Sequence, residues 1–500
     1  MLTQGTEPLK KSDFDYAAAR HLVDRAGFGG TPEQIRALTD LGLEKAVDAL
    51  LEFDSVPFRA VSADDFDRDL IRPLTDAERN ELQRARREKD EAVVEAYQRR
   101  ENEAKAADRR QIVEMKAWWL QRMIETSRPL EEKMTLFWHG HFASGFRTVE
   151  DSWNMFQQNQ LFRRYAVGNF ATLVLEIIRD PAMIKYLDND DSKVQRPNEN
   201  LARELMELFV LGEGNGYSEQ DIKEGARALT GYTFRDNTFE FRENDHDPGV
   251  KVIFGQRGNW NGDEFARIVL SQKASSEFLM GKLYRFFVND NPARPAAEAK
   301  AQKEFVKKLA AQLRREQYEL KPVLRTLFRS AHFYAPENRG TVIKSPVQLV
   351  VQTVRQYHTP VRSLPALASA CDLMGQDLFQ PPNVKGWDGG RAWINTSTLF
   401  VRQNLAIYLL TGRRPDIYDW EVDTARWDAM PLVEHLRKDG VLPPEVVVDF
   451  LLRTALPVEP HQDRRDVLLE FAKRDSAPLS NDRILALLAL ITALPEFQLC

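Results

Sequence analysis

Apolar residues in this 500-residue chain recur mostly at three- and four-residue spacing, the period of a helix with one buried side. Tyr16 to Ala26 reads as a helix that Gly27-Phe28-Gly29-Gly30 ends. Thr31 then caps a second helix, with Pro32 at its first position and Gln34 three residues on. Gly42 to Leu51 gives a third. Pro129 opens a helix in which Met134, Phe137, Trp138 and His141 form an apolar stripe while His139 points elsewhere. Asp180 caps a helix begun by Pro181, and Ser218 with Asp221 forms a variant capping box ahead of Ile222, Ala226 and Leu229. Further helices fall near 262–290, 296–316, 320–332 and 346–358, the last opened by Ser345-Pro346.

Three stretches break the pattern. From Thr75 to Arg110 the residues are nearly all charged, amide or Ala, which predicts one long polar helix, apolar again by Trp118-Trp119. Alternation in Thr238-Phe239-Glu240-Phe241-Arg242 predicts a strand, Lys251-Val252-Ile253-Phe254 its partner, and His246-Asp247-Pro248-Gly249 the loop between them. Gly375 to Asn395 is loop-rich, with Trp387 and Trp393 among Asn383, Asp388 and Arg391. The expected fold is therefore mainly α: a large multi-helix body with a small β-hairpin and a long projecting helical arm. Its expected parts are an N-terminal segment 1–74, the arm 75–126, a central core 127–412 and a C-terminal helical subdomain 413–500.

Composition narrows this little. The 43% hydrophobic fraction supports a real core, and a formal charge of −6 offers no electrostatic argument for nucleic acid. Two cysteines, Cys371 and Cys500, exclude a disulfide framework and a cysteine zinc site. No basic start with an apolar run opens the chain and no stretch is long enough to span a membrane. The expectation is a soluble protein, cytoplasmic as written and exported if a leader has been removed.

The densest candidate chemistry lies between Glu131 and Gly231. On a helical wheel Leu201, Ala202, Leu205, Met206, Leu208 and Phe209 gather on one side, and Glu199, Asn200, Arg203, Glu204 and Glu207 on the other. A solvated face with i,i+4 pairs is one reading; an inward carboxylate site is the other. In the second, Glu204 and Glu207, with Asn198 and Asn200 near, face His139 or His141 and His246 across one polar cavity. Arg203 or a cation then supplies the counter-charge. His139 and His141 diverge by about 200° on a helix and share a metal only if Gly140 breaks it. Glu204, Glu207, His246 and Asp247 are the catalytic candidates; His139, His141, Glu204, Glu207 and His246 are the metal candidates.

Two functional classes follow. The first is a metal-assisted enzyme, hydrolytic or oxidative, in which histidine and carboxylate ligands suit zinc, iron or manganese. The second is a binding scaffold for a polysaccharide or a protein, in which Trp387 and Trp393 stack and Asn383, Asp388, Arg391 and Asn395 hydrogen-bond. Tryptophans that merely hold the loop would look the same.

Several stretches carry a resemblance. They include Ala18-Ala19-Arg20-His21-Leu22, Phe137-Trp138-His139-Gly140-His141-Phe142, Asn198 to Leu208, Ala226-Arg227-Ala228-Leu229-Thr230-Gly231, His246-Asp247, Lys344-Ser345-Pro346, and Pro382-Asn383-Val384 through Asn395-Thr396-Ser397. In these the chain resembles the bacterial family catalogued as domain of unknown function 1800. The resemblance spans most of the chain and implies no particular activity.

Overall fold

Capped amphipathic helices build this chain. Asp15, Thr31, Asp151, Asp180, Ser218, Asn261, Ser345 and Asn395 each accept a backbone N–H from the turn that follows. Each such cap satisfies a donor the helix would otherwise leave orphaned, typically about 1 kcal/mol. The computed structural model describes residues 5–58, 61–63, 65–292, 294–474 and 478–500; residues 1–4, searched above for a leader, lie outside these. Among the described residues the chain is mainly α-helical, with two small two-stranded sheets. Among these residues no helix is long and apolar enough to cross a membrane.

The apolar faces close into two clusters. One joins the N-terminal helices (Phe14 to Phe53) to residues between Leu130 and Tyr334. The other joins the end of the long helix Glu91–Glu125 to residues between Val347 and Phe497. The helix Pro129–His141 serves both: Leu130, Met134, Phe137 and Trp138 enter the first, and Leu136 the second. Residues from Phe14 to Phe53 and from Trp420 to Phe497 thus contribute to cores shared with the rest of the chain.

The structure differs from the sequence reading in three places. The arm is two helices, Asp76–Glu88 and Glu91–Glu125, not one. Lys89 takes a left-handed conformation between them, and the helices return antiparallel, tied by Tyr97 to Glu81 (2.7 Å) and Arg100 to Glu78 (2.6 Å). The strand Thr238–Phe241 pairs with Tyr232–Arg235, and Lys251–Ile253 with Gln256–Gly258. Two hairpins replace the single one because two tight turns intervene. Asp236-Asn237 and Phe254-Gly255 all have positive φ, as two-residue hairpin turns demand. Finally, the helix opening at Asn200 becomes a π-helix over Leu205–Val210, a local widening often found at functional sites.

Candidate functional site

The motif around Glu204 folds as a polar face, and most of its members have partners. Asn198 Oδ1 accepts the N–H of Asn200, whose side chain is exposed. Arg203 donates to Glu199 (3.1 Å), Glu207 (3.4 Å) and Glu219 (2.8 Å). Glu204 is half-buried; burial, then the Glu207 charge, raise its carboxyl above the usual range. Lys385, from the tryptophan loop, lies within electrostatic reach of Glu204 and pairs with Glu213 at 2.7 Å. The fold thus brings the Glu204 motif and the loop together, as separate readings of each did not anticipate.

The histidines do not join them. His139 is 2% exposed, and its Nε2 accepts the N–H of Phe379 at 3.0 Å. Its ring packs against Trp119, Phe379 and Trp387, and burial lowers its pKa to about 3. His141 donates from Nε2 to the Phe209 carbonyl at 2.9 Å, inside a cage that includes Phe137, Trp138 and Phe142. Burial, then Lys282, hold it well below its ordinary pKa. The divergence of His139 and His141 follows from an unbroken helix through Gly140. His246 is held through Nδ1 by the Thr230 carbonyl (2.9 Å), and Asp247 is paired with Arg227 (2.7 Å). Burial works against the Asp247 carboxylate, but Arg227 outweighs it and lowers the pKa. No group of three or more His, Cys, Asp or Glu among the described residues is placed to hold one metal ion. The expected convergence of Glu204, Glu207 and Asn200 on these histidines is therefore not found.

Several side chains of the tryptophan loop hold the loop itself. Trp393 is 7% exposed, and Asn395 caps the helix Thr396–Thr411 by accepting from Thr398 N. Asn383 Oδ1 closes a turn on Lys385 N. Trp387 is half-buried and stands against His139 and Gly140. Asp388 and Arg391 are exposed. Of the two tryptophans expected to stack, Trp393 is committed to packing and Trp387 keeps part of its surface exposed.

Two cavities open elsewhere, both along the helix Ser152–Arg164. Asp151 caps this helix, Asp108 accepts Ser152 N, and Gln111 donates to Ser152 Oγ, which together fix its start. Its inner face is unusually polar: Asn154, Gln158 and Asn159 are buried beside Met155 and Phe162. Its outer face carries Trp153, Gln157, Gln160 and Arg164 at i, i+4, i+7 and i+11, one stripe. The first cavity, about 770 Å³, is bounded by Glu131, Gln160, Arg163, Arg164, Glu319 and Lys321 among others. The second, about 500 Å³, is bounded by Trp153, Gln157, Gln160, Arg164, Asp180 and Phe239 among others. Gln160 and Arg164 belong to both, so the two cavities adjoin along the stripe.

Buried carboxyls sit along these cavities in contrasting states. Glu132, fully buried behind the first cavity, receives Arg163 at both oxygens (2.7 and 3.0 Å), Trp119 Nε1 (2.9 Å) and Arg122. Burial pushes its pKa up, yet the two guanidiniums prevail and hold it at about 2. Glu131, on the cavity wall, is raised by burial and then by Glu132. Asp180, on the wall of the second cavity, is pushed up by burial to about 7. Neighbouring environments that drive carboxyls apart in this way are a mark of acid–base sites.

The sequence reading passed over this helix. Four successive amide or amide-like residues, Gln157-Gln158-Asn159-Gln160, were the available signal. They carry no titratable group, so a search for metal ligands and acids does not stop on them.

A family model described as "Protein of unknown function (DUF1800)" matches residues 21–499. No curated protein and no solved structure matches the chain.

Proposed function

The chain belongs to the DUF1800 family, and we propose that it binds a neutral, hydroxyl-rich chain molecule, an oligosaccharide, in the cleft along Ser152–Arg164. The observation that carries this reading is the stripe Trp153, Gln157, Gln160 and Arg164, which runs past two adjoining cavities. Cavities of roughly 300–1,000 Å³ are the usual size for small-ligand sites. Trp153 is half-buried, its ring offset against Phe156 at 5.2 Å, and offers an aromatic body to the C–H face of a sugar ring. Glutamine amides both donate and accept, as sugar hydroxyls do. The lining mixes Arg163, Arg164, Lys321 and Arg179 with Glu131, Glu319, Glu176 and Asp180, so no single sign of charge favours a polyanion or polycation. Two buried atoms on residues of the second cavity, Gln157 Oε1 and Arg179 Nε, have no hydrogen-bond partner. Each such deficit costs about 1–3 kcal/mol. Calorimetric titration with chito-, cello-, xylo-, malto- and laminari-hexaose tests the reading. Binding of at least one, weakened tenfold or more in Trp153→Ala and Gln160→Ala, is the expected result; no binding by any overturns it.

A second reading places metal-assisted chemistry at Glu204. What favours it is the raised, half-buried carboxyl beside Glu207, which a divalent cation would stabilise. Metal analysis of protein purified without a histidine tag decides it. Stoichiometric metal lost in Glu207→Gln supports this reading; none after reconstitution removes it.

A further inference from the structure

The second cavity has two carboxyl groups on its wall, Glu176 and Asp180, together with the aromatic rings of Trp153 and Phe239. We propose that this end of the cleft hydrolyses a glycosidic bond, with Asp180 as the proton donor and Glu176 as the base that activates water. The proposal rests on the oligosaccharide-binding reading and adds a reaction to it.

The geometry separates the two roles. Asp180 is 5% exposed and receives hydrogen bonds from Gln158 Nε2 (2.7 Å) and Met183 N (2.9 Å), both at Oδ1. The nearby cation, Arg179, is drawn off: it pairs with Asp263 and lies over the Phe239 ring at 5.6 Å. With no counter-charge, burial keeps Asp180 protonated up to about pH 7. Glu176 is more exposed and has no ion-pair partner among the described residues. Two carboxyls in contrasting environments on one ligand cavity form the usual apparatus of glycoside hydrolysis.

The step balances. Asp180 gives its proton to the glycosidic oxygen as the bond from that oxygen to the anomeric carbon breaks. A water molecule forms the new carbon–oxygen bond and loses a proton to Glu176. A reducing-end sugar and an alcohol leave, and exchange of one proton with solvent restores both carboxyls. Gln158 acts as a positioning residue through its bond to Asp180, and it is itself tied to Ser144 Oγ at 3.1 Å.

Asp180 also caps the helix Pro181–Tyr186, and this makes its substitution informative. Asparagine caps helices about as well as aspartate, so Asp180→Asn keeps the acceptor and removes the proton donor. The test incubates full-length protein with the five hexaoses above and measures release of reducing ends, with affinity measured in parallel. Turnover by the wild type should fall 10²–10⁴-fold in Asp180→Asn with affinity and a cooperative melt retained. The alkaline limb of its pH–rate profile, near pH 7, should vanish. Glu176→Gln should lose turnover while keeping affinity, and sodium azide, a nucleophile needing no base, should restore its rate. Hexaose binding without release of reducing ends overturns hydrolysis and leaves the binding reading standing. Full turnover in Asp180→Asn likewise overturns the assignment. Absence of binding by every hexaose removes both readings together.

Discussion

The α-carbon of Gly386 packs against the carbonyl oxygen of Gly140: a Cβ on Gly386 would lie 2.1 Å from it. This contact seats the tryptophan loop on the end of the helix Pro129–His141, beside the bond from Phe379 N to His139. Gly386 also has φ of +81°, a region that side-chain-bearing residues enter at a cost of roughly 1–3 kcal/mol. Gly386→Ala should therefore destabilise the protein by at least that amount. Its thermal midpoint should fall by several degrees, whereas Gly389→Ala, where a Cβ meets nothing within 4 Å, should lose only the backbone part. Equal midpoints for the two variants would contradict the close contact.

Glu132 neutralises two buried guanidiniums, Arg122 and Arg163. Glu132→Gln leaves Arg163 without this charge partner and Arg122 with only its 3.4 Å pair to Glu131, and should cost roughly 3–5 kcal/mol. Glu131→Gln should cost much less, about 1 kcal/mol or under, because burial already disfavours the Glu131 charge. Urea denaturation at neutral pH measures both, and similar losses would refute the assignment of roles.

Asp180 gives a pH-dependent stability of definite sign. Its carboxyl is raised to about 7 in the fold from an ordinary value near 3.9. The folded state therefore holds this proton more tightly, and the benefit, full below about pH 4, is lost as pH rises to about 7. A gap of about three pH units corresponds to at most about 4 kcal/mol. Asp180→Asn has no proton to lose, so its stability relative to wild type should climb between pH 4 and 8. A flat difference across that range would exclude the raised value.

The arm ends where Asp108 accepts Ser152 N at 2.8 Å. Residues 76–103 have few buried side chains, Ala85 among them, and their two ends lie together because Glu78 pairs with both Arg72 and Arg100. Joining Thr75 to Ala104 by a short glycine-serine linker should leave a folded body with a cooperative melt. Extending the deletion through Arg110 removes Asp108 and should lower stability further. Aggregation of the shorter deletion would show that the arm packs on the core.

Helix starts were legible because their signals are local. Thr31-Pro32, Asp180-Pro181, Ser218 with Asp221 and Ser345-Pro346 all cap where the sequence placed them. The break at Lys89 and the turn at Asp236-Asn237 were missed because non-glycine residues adopt positive φ there, against ordinary preference. The Glu204 face was drawn as the structure shows it, but its wheel could not show that Nε2 of His139 and of His141 is taken by Phe379 N and the Phe209 carbonyl. Those partners lie 240 and 68 residues away, beyond any periodicity. The cleft escaped for the opposite reason: its stripe Trp153, Gln157, Gln160 and Arg164 has helical spacing, but no ionisable cluster draws attention to it.

The structure of a complex tests the central claim most directly. Crystals grown with the tightest-binding hexaose should show sugar rings along Ser152–Arg164, one stacked on Trp153 and hydroxyls within hydrogen-bond distance of Gln160 and Arg164. Sugar bound instead at the tryptophan loop, against Trp387 and Asp388 with the cleft empty, would contradict it.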